Sequence, residues 1–153
     1  DVCSSDLFDN ARRKHGTLMH EVLSRIRTPK DIPASVESYR LAGVINREEA
    51  AELISRLEEL LQAEEVKAWY DGSARVLNEV DILFGKGLSK RPDRVIIKGG
   101  KVIVVDYKFG ERQDKRHPNQ VRNYLQLIRK MGFERVDGYL WYVELGKIEA
   151  VNK

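Results

Sequence analysis

Asp93, Asp106 and Lys108 are the residues whose types and spacing could carry out a reaction. Gly99-Gly100 lies between two runs rich in β-branched residues, Val95 to Ile97 and Val102 to Val105. A two-residue turn of that kind needs positive φ at both central positions, so the pair predicts a tight hairpin. With Lys98 opposite Lys101, the register places Asp93 directly across from Asp106. Opposed residues in an antiparallel pair have Cβ atoms about 4.5–5.5 Å apart, where like charges repel unless a cation lies between them. Strand alternation sets Lys108 on the same face as Asp106. Two carboxylates suit a hard divalent ion such as Mg²⁺, which retains several of its waters. Such an ion lowers the pKa of a bound water and offsets charge on a phosphodiester, while a neighbouring ammonium orients or helps deprotonate that water. This is the chemistry of hydrolysing a polyanion. The competing reading makes Asp93 a turn acid after Pro92, and Asp106 with Lys108 an exposed ion pair. Chance accounts poorly for the agreement in register, which favours the site.

The elements that must position these residues are those of one domain. The chain has 153 residues, 42% apolar and 33% charged, the balance of a globular protein with its own core. Its apolar runs are too short and too interrupted for a spanning helix, so no membrane partner is expected. Cys3, the single cysteine, excludes internal disulfides and a multi-cysteine metal or iron–sulfur site, and favours an intracellular location. The chain does not begin with Met, and Asp1 to Leu7 carries no readable pattern. The expectation is therefore a fragment, with residues 1–10 unassigned and 11–153 forming a single domain.

Hydrophobic spacing predicts a helix from about Ala11 to Arg27, a loop at Pro29 and Pro33, and a short helix from Ala34 to Leu41. Arg12-Arg13-Lys14 would be unfavourable at the start of the first of these. Asn46 and Glu49 form a capping box ahead of a helix whose stripe is Ala50, Leu53, Ile54, Leu57, Leu60 and Leu61. Extended segments follow near Ala74 to Phe84, with Gly85 and Gly87 as a turn, then Asp93 to Ile97 and Val102 to Phe109. A helix from Pro118 to Met131 and a strand pair at Val136 to Glu144 and Ile148 to Val151, joined at Gly146, complete the chain. The order predicts an α/β fold with a small mixed sheet flanked by helices.

Charge is unevenly placed. Lys and Arg number 27 against 24 acids, but residues 86–116 hold ten basic and four acidic residues, leaving the rest of the chain at −3. That concentration suits a phosphate backbone, with Arg91, Arg94, Lys98, Lys101, Arg112, Lys115 and Arg116 as candidate contacts. The turn lysines also serve to protect a hairpin edge. Glu79 and Asp81 share a strand face and offer either a further carboxylate for the site or solvated edge acids. His20 can ligate a metal through a neutral nitrogen or act as a surface residue, while His15 and His117 read as surface residues. Gly16, one turn before His20, makes room for helix packing or for a nucleic-acid backbone. Gln120 and Tyr124 share a helix face as site or surface residues. Trp69, Tyr70, Trp141 and Tyr142 read as core.

Pro92-Asp93, followed thirteen positions on from that acid by Asp106-x-Lys108, resembles the signature of the PD-(D/E)XK nuclease superfamily. The wording from Val104 to Lys108 is similar to its RecB-type branch. Gly16-x-x-x-His20-x-x-Leu23 resembles the glycine–histidine motif of that branch, and Gln120-x-x-x-Tyr124 its glutamine–tyrosine motif. The resemblance runs from about Arg12 to Tyr142, and the C-terminal nuclease domains of AddA and RecB helicase–nuclease subunits look most similar. It implies a restriction-endonuclease-like core. His20, Asp93 and Asp106 would be metal ligands with a main-chain carbonyl near Tyr107, Lys108 the catalytic lysine, and Gln120 and Tyr124 DNA-facing or site-organising residues. The cofactor would be Mg²⁺, with Mn²⁺ able to substitute. With one cysteine, the chain departs from relatives that carry an iron–sulfur cluster. The implied activity is DNA end processing in double-strand-break repair and recombination, in the bacterial cytoplasm at the nucleoid. Its partners would be DNA ends, a fused upstream helicase and an AddB- or RecC-like subunit. A non-catalytic DNA-binding or scaffolding module and a stand-alone restriction-like or phage-type nuclease are the alternatives.

Overall fold

The computed structural model describes residues 4–78, 91–110 and 116–151, with side chains from Lys14 to Val76 in the first of these spans. Glu79, Asp81, the Gly85–Gly87 turn, Arg112 and Lys115 lie outside the described residues. Helix α1 (Ser4–Ser24) begins about two turns before the expected start at Ala11. Arg12-Arg13-Lys14 therefore lie within the helix, away from its positive end, and the expected conflict with the dipole does not arise. A 3₁₀ turn at Pro29–Asp31 runs directly into α2 (Ile32–Leu41), with Pro33 inside its first turn, where no N–H is required. Pro33 thus starts a helix and does not sit in a loop. In α3 (Arg47–Leu60) the capping box forms as expected: Glu49 N–H donates to Asn46 Oδ1 at 2.8 Å, and Asn46 N–H to Glu49 Oε1 at 3.1 Å. A six-residue helix α4 (Glu64–Trp69), absent from the sequence expectation, carries Val66 and Trp69 into the core.

Five strands form one sheet in sequence order: β1 (Arg75–Asn78), β2 (Arg94–Lys98), β3 (Lys101–Lys108), β4 (Arg135–Tyr142) and β5 (Lys147–Val151). β1, β2 and β3 are antiparallel neighbours, and β4 and β5 form a second antiparallel pair. β3 and β4 are parallel, which requires a crossover connection, and α5 (Arg116–Lys130) supplies it. The fold class read from the sequence, a mixed sheet flanked by helices, is the one observed. Gly99 and Gly100 adopt φ of 56° and 80° in the β2–β3 turn, and Lys98 pairs with Lys101. The hairpin has the register expected of it.

The central strand β3 divides the core. Val105 and Tyr107 pack into the layer made by α1 to α4, with Val22, Leu23, Ile32, Leu57, Trp69 and Trp141. Val102 and Val104 pack on the other side beneath Val121, Tyr124, Leu125 and Ile128 of α5. Helix α5 approaches closely because residue 138 has no side chain: a Cβ there would lie 2.6 Å from Val121 Cγ1. Aligned above a strand that carries both layers, the residues at the end of β3 are reached from either side.

Arg94 ties the helical layer to the sheet and overturns its reading as a phosphate contact. It is fully buried on the α1–α4 side, with its guanidinium 3.8 Å from the Tyr70 ring centroid. It donates to Ile26 O at 2.8 Å and to Trp69 O at 2.9 and 3.1 Å. Ile26 lies two residues past the end of α1 and Trp69 is the last residue of α4, so one side chain ties the exit of one helix and the terminus of another to β2. Replacing it leaves dry carbonyls without donors. Arg94→Met is expected to lower the unfolding free energy by about 3–5 kcal/mol, whereas exposed Arg91→Met shifts it within about 0.5 kcal/mol. Urea unfolding distinguishes the two; equal, small losses would contradict the anchoring role.

Candidate active site

Asp93 lies one residue ahead of β2 and continues the register that pairs Arg94 with Val105, which brings it opposite Asp106. Both acids are buried, 8% and 4% exposed, and the Asp106 carboxyl faces Asp93 closely enough to disfavour its ionisation. Three further groups hold them. Tyr107 N–H donates to Asp93 Oδ2 at 2.7 Å, and His20 Nδ1 lies 3.2 Å from Asp93 Oδ1. Lys108 Nζ lies 3.1 Å from Asp106 Oδ2, from the same face of β3. His20 reaches the acids because α1 runs close to the end of β3. A Cβ on Gly16 would sit 3.5 Å from Phe109 Cβ, and the His20 ring packs edge-on against Tyr107 and Phe109. Gly16 thus faces Phe109 at ordinary packing distance. The Tyr107 side chain turns into the helical layer, where its hydroxyl bonds that of Tyr70 at 2.7 Å.

Burial comes first, and the facing Asp106 carboxyl second, in pushing the Asp93 pKa far above the carboxylate range. Two acids this close in a dry place cannot both ionise unless a cation joins them. Lys108 contributes part of that charge, but its ammonium is not aligned to hydrogen-bond Asp106 Oδ2, which is buried and has no hydrogen-bond partner. A buried anionic oxygen without a donor suits a hard cation, and two carboxylates with waters completing the shell are a usual donor set for Mg²⁺. Among the described residues no three His, Asp or Glu side chains converge around one point; His20 meets Asp93, and Asp93 meets Asp106.

From the other layer, α5 presents Gln120 and Tyr124. Gln120 Nε2 donates to the Tyr124 hydroxyl at 3.1 Å, so the two share a face as their spacing predicts. The Tyr124 pKa is pushed up to about 12, chiefly by burial; the Gln120 hydrogen bond opposes the rise, and the negative charges of Asp106 and Asp93 add to it. Tyr124 thus lies within electrostatic range of the two acids. Trp69, Tyr70, Trp141 and Tyr142 are core residues, as expected. Lys98 donates to Ser73 Oγ at 2.8 Å and Lys101 lies 2.7 Å from Asp137, at the turn end of the hairpin and remote from Asp93 and Asp106. His117, read as a surface residue, is half-buried with its Nδ1 3.0 Å from the Tyr142 hydroxyl.

Compared with known families, the chain matches the PD-(D/E)XK nuclease superfamily over residues 5–153 and so belongs to it. None of the curated proteins matches the chain. No helix among the described residues is long and apolar enough to cross a membrane.

The raised Asp93 pKa has a consequence for stability. An ordinary aspartate has the value 3.8, so above it the unfolded chain loses a proton that the folded chain keeps. The resulting stabilisation is fully present below the unfolded value and is lost as pH rises toward the folded one. Asp93→Asn removes the charge and keeps an oxygen acceptor for Tyr107 N–H. In metal-free buffer at pH 8 the variant is expected to melt about 3–6 °C above the parent, on the order of 1–2 kcal/mol, with the gap closing toward pH 4. Thermal unfolding across pH checks this; a variant less stable than the parent at pH 8 would contradict it.

Proposed function

We propose, from its membership of the PD-(D/E)XK nuclease superfamily, that this chain is a Mg²⁺-dependent deoxyribonuclease that hydrolyses phosphodiesters at DNA ends. The observation that carries this reading is the buried, facing pair Asp93 and Asp106 with Lys108 Nζ 3.1 Å from the second acid. In this reading Asp93, Asp106 and His20, with a main-chain carbonyl near Tyr107, hold the ion, and Mn²⁺ can replace it. Bound there, the ion supplies positive charge to the phosphoryl oxygens and lowers the pKa of a water. Lys108 orients that water and screens negative charge as it develops. Oxygen from water bonds to phosphorus, the bond to the leaving strand breaks, and the leaving oxygen takes up a proton. The Gln120–Tyr124 pair organises the site beside the acids, and the exposed Arg91 and Arg116 add positive charge that suits a phosphate backbone.

The RecB-type wording around Asp106, together with Gly16 to His20 and Gln120 to Tyr124, supports a narrower assignment. We read residues 11–153 as the nuclease domain of an AddA- or RecB-like helicase–nuclease acting in double-strand-break repair and recombination at the bacterial nucleoid. The motor would be fused upstream, with an AddB- or RecC-like partner subunit. The sequence holds no Gly-x-x-x-x-Gly-Lys-Ser/Thr loop, so ATP hydrolysis would belong to the motor. With Cys3 alone, the domain would work without an iron–sulfur cluster.

End-labelled linear single- and double-stranded DNA, incubated with Mg²⁺, Mn²⁺ or chelator, tests the activity. Cleavage with either metal is expected, with none in chelator and none for Asp106→Ala. Lys108→Met is expected to slow cleavage by about 10²–10⁴-fold. A folded parent that binds DNA and never cuts it with either metal would overturn the catalytic reading in favour of a docking module.

A further inference from the structure

Tyr107 touches His20 and Asp93 at once. Its N–H donates to Asp93 Oδ2 at 2.7 Å, and its ring meets the His20 ring edge-on with the centroids 5.7 Å apart. His20 Nδ1 in turn lies 3.2 Å from Asp93 Oδ1, so the three residues close a triangle of contacts beside Asp106. A shift of the Tyr107 ring moves the support of His20, and a shift of its backbone moves Asp93. The tip of that side chain is pinned from the helical layer. Tyr70 follows directly on α4, and its hydroxyl lies 2.7 Å from that of Tyr107, with both residues buried. Whichever phenol donates, the contact is a hydrogen bond. Tyr70 is itself held firmly: its N–H donates to Lys67 O at 3.1 Å, and the Arg94 guanidinium covers its ring at 3.8 Å while donating to Trp69 O and Ile26 O. The Tyr70 hydroxyl is thus a point fixed relative to the exits of α1 and α4 and to β2. Packing alone would not require it. Phenylalanine at both positions would fill nearly the same space with no polar group to satisfy, whereas a phenol in a dry core costs free energy unless it is paired. The paired hydroxyls specify where the Tyr107 ring stands, which filling the core does not demand.

We infer that Tyr70 is a positioning residue for the cation site, acting through Tyr107 to hold His20 and Asp93 at the spacing a cation needs. This rests on the reading of His20, Asp93 and Asp106 as cation ligands and extends it to a residue of the helical layer that touches none of them directly. Groups that orient ligands from behind tune metal affinity without meeting the ion, and a site loses affinity when that support is loose. Here the support crosses the core from the end of α4 to β3, so the packing of the helical layer is communicated to the site at one hydroxyl pair.

Mn²⁺ alone is the probe, titrated calorimetrically into the metal-free protein, with thermal unfolding recorded for every variant. Tyr70→Phe and Tyr107→Phe each remove one hydroxyl of the same contact. Each is expected to weaken Mn²⁺ binding by about 10-fold. The double variant is expected to bind no more weakly than the weaker single one, because either substitution already breaks the contact. Leu57→Val, a truncation in the same helical core, is expected to lower the melting temperature and to leave Mn²⁺ affinity at the parent's value. A Tyr70→Phe variant that melts lower yet binds Mn²⁺ like the parent overturns the inference, as do losses at the two tyrosines that add, or an equal loss in Leu57→Val. Should Tyr70→Phe not fold, Tyr107→Phe decides by the same comparison, and parental affinity in that variant is equally contrary. A parent that binds Mn²⁺ with tyrosine variants that match it leaves the ligand reading standing and removes the role of Tyr70; a parent that binds no Mn²⁺ removes both.

Discussion

Two carboxyl groups facing each other in a dry place are the constraint around which this protein is built. Asp93 and Asp106 are nearly as buried as the valines beside them, and isolated they would repel and resist desolvation. The fold opposes that cost locally. The hairpin turn fixes the register that brings them together, Tyr107 N–H and His20 engage Asp93, and Lys108 lies against Asp106. What these neighbours leave incompletely satisfied is the Asp106 oxygen, which has the Lys108 ammonium at 3.1 Å but no hydrogen bond, and a hard cation suits such an oxygen.

Each layer of the protein contributes to that pair from a different direction. The α1–α4 layer is locked to β2 by Arg94, immediately beside Asp93, and to β3 by the Tyr70–Tyr107 hydroxyl contact. Those bonds set how near α1 comes to the strand ends, and so where His20 stands. The α5 layer rests on Gly138, which lets Val121 and Leu125 sit directly on β4 and brings Tyr124 within electrostatic range of the acids. Neighbouring residues on β3 serve opposite layers: Tyr107 knits the helical core, while Asp106 and Lys108 pair on the other face.

The hairpin, its register and the α3 capping box were legible in the sequence because their physics is local. Two glycines with positive φ and a period of two suffice to place Asp93 opposite Asp106. Arg94 was not legible, since its partners lie 25 and 68 residues away and an arginine in a basic stretch looks exposed until those carbonyls are brought to it. The His117–Tyr142 contact was not legible for a similar reason: Tyr142 sits on a strand reached only through the crossover. Helix α4, only six residues long, leaves little periodic trace of its own in the sequence.

The central claim is that the buried acids form a cation site that holds a proton until the cation arrives. Calorimetric titration of the metal-free protein with Mg²⁺ or Mn²⁺ at pH 7.5, in two buffers of different ionisation enthalpy, tests it most directly. The account predicts binding accompanied by release of about one proton, with both binding and release lost in Asp106→Asn. Absence of metal binding, or binding without proton release that survives the substitution, would contradict it.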